Sequence, residues 1–240
     1  MRRPGLAGLG VNLAGFLLAL WAAPRLPGLW RALFPEIARP VWESQGWFAL
    51  LFEHLLLALG AAALATLIGL GAGIACTRGA GRRLRPVFDA AFALAQAIPP
   101  VAVIALALPL LGFGAAPTLL ALVLYSALPV MRSTVTGLDA VPATVLDAAR
   151  GLGMGSGRIL ARVELPLALP VIQAGLRVAV VLAIATTAVG AVAGAQCLGT
   201  PIVTGLANGN TAWVLQGAVF TAWLALIADQ ALRLGLAPPR

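Results

Sequence analysis

Six long apolar runs, each near the length that crosses a bilayer, leave this chain few folds to choose from. They are Gly5–Ala23, Leu50–Cys76, Val87–Leu111, Ala115–Met131, Ala168–Ala195 and Thr211–Leu232. A helix needs about 20 apolar residues to cross the hydrocarbon core. In lipid only helices and closed barrels pair every backbone group, and these runs are too long for barrel strands. The expectation is an all-α, polytopic membrane protein with six spanning helices. The fourth run is short, and its outer end is expected to borrow from the Gly112-Phe113-Gly114 turn. Only 10% of the 240 residues are charged, against roughly 25% in soluble domains, so a water-exposed fold lacks its polar surface.

The net charge of +8 comes from sixteen arginines, with no lysine, and these sit mostly in the gaps between apolar runs. With the N-terminus cytoplasmic, twelve arginines fall inside and only Arg25, Arg31 and Arg39 outside, while Arg177 lies within the fifth run. The positive-inside rule then places both termini in the cytoplasm. The same placement argues against nucleic acid as a partner and for membrane lipid. The organisation follows as residues 1–48, a first spanning helix with an outer interfacial segment; 49–232, the main membrane domain with a cytoplasmic loop at 132–167; and 233–240, a cytoplasmic tail. Arg2 and Arg3 before the first run resemble a signal peptide, but no small-x-small cleavage site follows, so the run is read as a spanning helix.

Trp30, Trp42 and Trp47 crowd the outer segment. Amphipathic rings favour the headgroup region, so this segment is expected to lie along the outer interface. Gly69-x-x-x-Gly73 and Gly190-x-x-x-Gly194 suggest close helix packing. Cys76 and Cys197 fall near opposite membrane faces, which excludes a bridge, and both are read as packing residues.

Enzymatic readings fail for want of parts. Without lysine there is no P-loop, and the glycine run from Gly151 to Gly157 matches neither a dinucleotide fingerprint nor a nucleophile elbow. The lone His54, beside Glu53, reads as a satisfied end-of-helix pair rather than a catalytic dyad. Asp89 and Asp229 sit near cytoplasmic ends, so no mid-membrane acid suggests a proton-coupled pump. No catalytic residue, metal site or cofactor is expected in this chain.

The loop at 132–167 carries the functional argument. It reads as a short helix opened by Pro142, broken by glycines, then a second short helix stopped by Pro166, which together form a compact cytoplasmic knob. Ala148 and Ala149 would let a partner come close, and Leu146, Leu152, Met154 and Ile159 would supply apolar contact.

This loop resembles that of permeases of binding-protein-dependent ABC importers, which has the form E-A-A-x-x-x-G, nine residues, then I-x-L-P. Here it appears as Asp147-Ala148-Ala149, Gly153 and Val163-Glu164-Leu165-Pro166, with Asp for Glu and Val for Ile. The resemblance implies a type I importer fold in the bacterial inner membrane, with Asp147, Ala148, Ala149, Gly153, Val163, Leu165 and Pro166 forming the ATPase-coupling loop. It implies as partners a cytoplasmic ABC ATPase that binds ATP and Mg, a second permease subunit, and a periplasmic or lipid-anchored substrate-binding protein. Further stretches, Gln96–Gly114, Tyr125–Arg132 and Leu198–Ile202, together with Leu33-Phe34-Pro35 and Arg39-Pro40-Val41, are similar to the osmoprotectant branch, and to its Yeh-type permeases in particular. That branch handles glycine betaine, choline or carnitine. Rival readings are the same machine with an amino acid or alkylsulfonate as cargo, and an unrelated membrane enzyme or scaffold.

The expected translocation path draws on Gln96, Ser126, Thr186, Thr187 and Gln216, with Pro99-Pro100 and Pro109 freeing carbonyls. Binding a quaternary ammonium usually takes an aromatic cage. The spans hold no dense aromatic cluster, so the cage is assigned to the binding protein.

Overall fold

A computed structural model describes residues 4–79 and 81–235. All its regular elements are helical: α1 (Pro4–Ala22), a 3₁₀ turn (Ala23–Arg25), α2 (Pro27–Leu33), α3 (Trp47–Cys76), α4 (Gly81–Ala97) and α5 (Pro100–Leu111) come first. Then follow α6 (Ala115–Asp139), α7 (Ala143–Gly151), α8 (Ser156–Ile159), a π turn (Leu160–Glu164), α9 (Leu165–Thr187), a 3₁₀ stretch (Ala188–Ala193), α10 (Thr200–Ala207) and α11 (Thr211–Gly235). Five helical stretches are long and apolar enough to cross a membrane, and a sixth if α4 and α5 count as one bent span.

Small residues set the central packing. A Cβ on Gly69 of α3 would lie 2.6 Å from the Ala127 carbonyl oxygen of α6, and one on Gly73 would lie 2.6 Å from Thr134 Cβ. The first small-residue pair is thus a true α3–α6 contact. In the second pair, Gly190 faces Thr118, but Gly194 is a turn residue with φ +82° and packs against nothing closely. The main core gathers Phe16, Leu20, Trp42, Trp47, Leu50, Ile184, Leu198 and Phe220. Both cysteines are free and buried.

The ends of the helices sort as the arginine distribution expects. Arg78 pairs with Glu164, and Arg85 Nη1 lies 2.7 Å from Asp139 Oδ2, so the segments after α3, after α6 and before α9 share one end. The start of α1 lies beside the end of α11: Asn12 Nδ2 donates to Gln230 Oε1 at 2.9 Å, and Gly5 faces Leu234. The expected tail beyond residue 235 lies outside the described residues.

Four sequence expectations need correction. The third run is bent by 93° between α4 and α5, at Pro99-Pro100, where consecutive prolines remove two backbone donors. The Pro99 carbonyl itself accepts the N–H groups of Ala102 and Val103 as α5 begins. The fourth span borrows nothing from the Gly112-Phe113-Gly114 turn, whose glycines have φ +73° and +121°. It extends instead past Met131 to Asp139, taking eight residues from the expected loop.

The helix before Pro166 does not stop there. It runs without a break from Ser156 to Ala193. Pro166 has no N–H to give its i−4 carbonyl, and the ladder widens just before it: the Leu165 N–H bonds to the Leu160 carbonyl, five residues back. A π turn therefore carries the helix past the proline.

Finally, Trp42 and Trp47 do not lie along an interface; each is only 2% exposed. The chain from Arg39 to Trp42 is read by side chains from the far end of the sequence. Asn210 Nδ2 donates to the Arg39 carbonyl, Gln216 Nε2 to the Pro40 carbonyl and Trp213 Nε1 to the Val41 carbonyl, while Gln216 Oε1 accepts the Trp42 N–H. An irregular segment can be buried once its backbone groups find such partners.

Candidate functional site

The knob at the arginine-rich end is built from α7, a glycine turn and α8. Pro142 sits at the N-cap of α7, where its missing N–H costs nothing. At the other end the Met154 N–H reaches the Ala149 carbonyl and the Gly153 N–H reaches the Arg150 carbonyl. This paired 6→1 and 5→2 pattern is a Schellman motif, with Leu152 as C-cap and Gly153 at the left-handed position. Gly153 has φ +75°, and a Cβ added there would meet nothing within 4 Å. The glycine is required by conformation rather than by crowding within the chain.

The motif residues divide by face. Asp147, Ala148, Gly153 and Pro166 are exposed, Val163 and Leu165 are half-buried, and Ala149 is turned inward. Ala149 therefore supports the knob from within, while Ala148 alone of the two alanines offers close approach. Leu152 is 83% exposed, whereas Ile159 is buried. Asp147 Oδ1 accepts from Arg150 Nη1 at 2.7 Å, an exposed i,i+3 pair that contributes below about 1 kcal/mol.

Sequence reasoning missed Glu164. Its carboxylate takes both terminal nitrogens of Arg78, with Nη1 to Oε1 at 3.1 Å, and the residue is 6% exposed. This bidentate pair ties the end of α3 to the π turn between knob and span. The signal was an acid standing between Val163 and Leu165 in an otherwise apolar motif. Beside the pair, a crevice of about 440 Å³ separates α7 from the bundle, with Arg82, Asp139, Leu146 and Arg150 on its walls.

The five expected path residues are spread over α4, α6, α9 and α11. Gln96 Nε2 donates to the Tyr125 carbonyl, joining α4 to α6. Thr187 Oγ1 donates back to the Ala183 carbonyl, and Gln216 is committed to Pro40 and Trp42. Thr186 is buried near the end of α9, and the buried Ser126 hydroxyl has no partner among the described residues. A groove of about 680 Å³ lies elsewhere, between α3, the start of α6 and Gly194-Ala195-Gln196, with Glu53 on its wall. His54 is satisfied, though not by Glu53. Its Nδ1 accepts the Leu198 N–H at 3.2 Å, so Nε2 carries the proton and donates to the Ile184 carbonyl at 2.9 Å.

Residues 65–234, which contain the bent span, the knob and the π turn, match the family described as binding-protein-dependent transport system inner membrane component. The chain belongs to this family. It is 41% identical over 179 residues to the glycine betaine/carnitine/choline transport system permease protein OpuCD of Bacillus subtilis, a match covering 74% of this chain and 77% of the relative. It is 36% identical over 180 residues to the osmoprotectant import permease protein OsmY of Salmonella typhimurium, covering 75% and 76% respectively. In fold it is similar to a chain of the MetNI methionine ABC transporter in an inward-facing conformation. The TM-score is 0.67 at 22% identity, with 82% of this chain and all of that one covered. The family member described here is therefore a multi-pass inner-membrane component of an importer with the type I permease fold.

Proposed function

We propose that this permease moves a quaternary ammonium osmolyte such as glycine betaine through an importer driven by a separate ATPase, and that its knob docks on that ATPase. The reading of the knob is carried by one observation: a Schellman-closed turn presents the apolar Leu152 with none of the described residues covering it. The osmolyte reading is supported by the cargo named for the relatives, which span about three quarters of the chain. A second permease, identical or different, completes the central path, and a periplasmic or lipid-anchored binding protein delivers the solute. ATP and Mg belong to the ATPase, whose closure moves the knobs and rocks the spans.

The test is uptake of labelled glycine betaine in cells with and without the gene, in a strain lacking other osmolyte importers. Uptake should fall to background without the gene, and a P-loop ATPase should co-purify with the permease. Equal uptake would shift the cargo to an amino acid or alkylsulfonate.

A further inference from the structure

One arginine within the spans has no part in the knob or in the packing described above. Arg177 belongs to the helical stretch Ser156–Ala193, about 18 Å along the helix from Leu165. An ionisable side chain inside a span is costly and calls for a partner. Its Nε donates to Asp229 Oδ1 at 2.5 Å, and Arg233 Nε donates to Asp229 Oδ2 at 2.9 Å. Asp229 thus gives one oxygen to each arginine and meets only the Nε of each. The terminal nitrogens of both guanidinium groups have no acceptor among the described residues. The Arg177 side chain is 33% exposed and that of Arg233 62%, so these donors face outward from the bundle.

They open onto a groove of about 460 Å³. Its floor is one face of α9, from Ala174 through Val178, Val181 and Leu182 to Ala185, and Asp229 of α11 forms its edge. Gly217, near the start of α11, packs on Leu198 beyond the end of α9. The two helices therefore run antiparallel, and Arg233 lies nearer the knob end than Asp229 does. Polarity is divided along the groove. Asp229 is about 9 Å from the end of α11 at Gly235, so the charged end sits near the edge of the hydrocarbon core. From Arg177 to Ala185, toward the middle of the core, the wall is apolar for about 12 Å.

Two guanidinium groups against one carboxylate leave one positive charge beside an apolar wall. The complement of that surface is an amphiphile, with an anion at the boundary and a chain toward the middle of the bilayer. A phosphodiester carries one negative charge, and its oxygens accept the forked donors of arginine. Basic pockets between spanning helices collect anionic headgroups in this way. A second copy of the chain is the poorer occupant. A two-fold contact through this face would set the same surface against itself, bringing like charges together where the dielectric screens them little.

We infer that the groove between α9 and α11 holds one anionic phospholipid from the leaflet on the knob side. Its phosphate lies on the free nitrogens of Arg177 and Arg233, and an acyl chain runs along Val178 to Ala185. The occupant is a lipid of the surrounding membrane and not the cargo, so the site stands apart from the osmolyte reading.

The experiment titrates the purified full-length permease, delipidated in detergent, with short-chain phosphatidylglycerol, phosphatidylcholine and glycerol 3-phosphate. Native mass spectrometry counts the bound lipid, and thermal melting reports its effect on the fold. Phosphatidylglycerol should give one saturable adduct and raise the melting temperature. Phosphatidylcholine should bind at least about tenfold more weakly, and glycerol 3-phosphate, an anion without the chain, should do neither. Arg233→Gln removes an exposed guanidinium while Arg177 keeps Asp229 paired, and should weaken phosphatidylglycerol by roughly tenfold with little effect on phosphatidylcholine. Val178→Trp, at a position 54% exposed, fills the groove without entering the core and should weaken both lipids. In nanodiscs of phosphatidylethanolamine and phosphatidylglycerol, Val178→Cys should resist a water-soluble maleimide and form no disulfide between copies, the native cysteines being buried. Equal binding of the two lipids, equal action of glycerol 3-phosphate, or either groove variant binding phosphatidylglycerol as the wild type does overturns the inference. Rapid maleimide labelling overturns it too, by making the face part of an aqueous path, as does a disulfide between copies, by making it their interface.

Discussion

The outer segment from Arg39 to Trp47 and the knob from Ala143 to Glu164 each lead into a spanning helix, yet the fold treats them in opposite ways. The outer segment has almost no secondary structure, and three side chains from the region of α11 bond its backbone from Arg39 to Trp42. Its two tryptophans are packed into the main core. The knob has regular helices and a closed turn, but a polar crevice lies behind it and one bidentate ion pair joins it to α3. It carries an exposed leucine. Burial that is complete within one chain marks a finished structural element, whereas a preorganised element with bare apolar surface awaits another surface.

Three substitutions would break or sharpen that contrast. The largest effect is expected from Glu164→Ala, which strands the Arg78 guanidinium. Breaking a fully buried pair costs about 3–5 kcal/mol; with Arg78 39% exposed, solvent screening reduces this to about 2–3 kcal/mol. The melting temperature should fall, binding-protein-stimulated ATP hydrolysis should fall with it, and the swap of Arg78→Glu with Glu164→Arg should recover part of both. A variant melting like the wild type would show that the knob has other anchors.

Next comes Gln216→Ala, which leaves the Pro40 carbonyl and the Trp42 N–H unpaired in the interior. Stranding buried groups costs about 1–3 kcal/mol. Hydrogen exchange should rise across residues 39–47 and stay unchanged across the knob, which would be protected by its own turn. Equal deprotection of both regions would dissolve the distinction between them.

The smallest change is expected from Gly153→Val. A β-branched residue in the left-handed region costs roughly 1–2 kcal/mol, about tenfold in ATPase docking. Transport should fall in proportion, while the isolated ATPase is unaffected. Full transport with normal association would show that the knob is not the docking element.

The sequence made legible what depends on local pattern. Apolar length located the spans, and the Asp147-to-Pro166 motif found the knob down to its glycine. What it concealed depends on pairs distant in the chain. Trp42 is as amphipathic as Trp30, and contacts with Trp213 and with Gln216, 174 residues on, bury it. The Arg78–Glu164 tie spans 86 residues and leaves no periodic trace. Pro166 misled for another reason: a proline is a stop signal for an α-ladder, but a π turn lets the chain pass.

The π turn has one more consequence. Because it carries the helix past Pro166, α8 at the base of the knob and the span form one helical stretch of 38 residues, about 57 Å long. A rod transmits displacement by leverage, without any relay of rearranging contacts: tilting it by about 5° around its midpoint carries each end some 2.5 Å in opposite directions, by the length just given. Whatever pushes the knob end inward therefore swings the far end outward in the same motion, as an oar does.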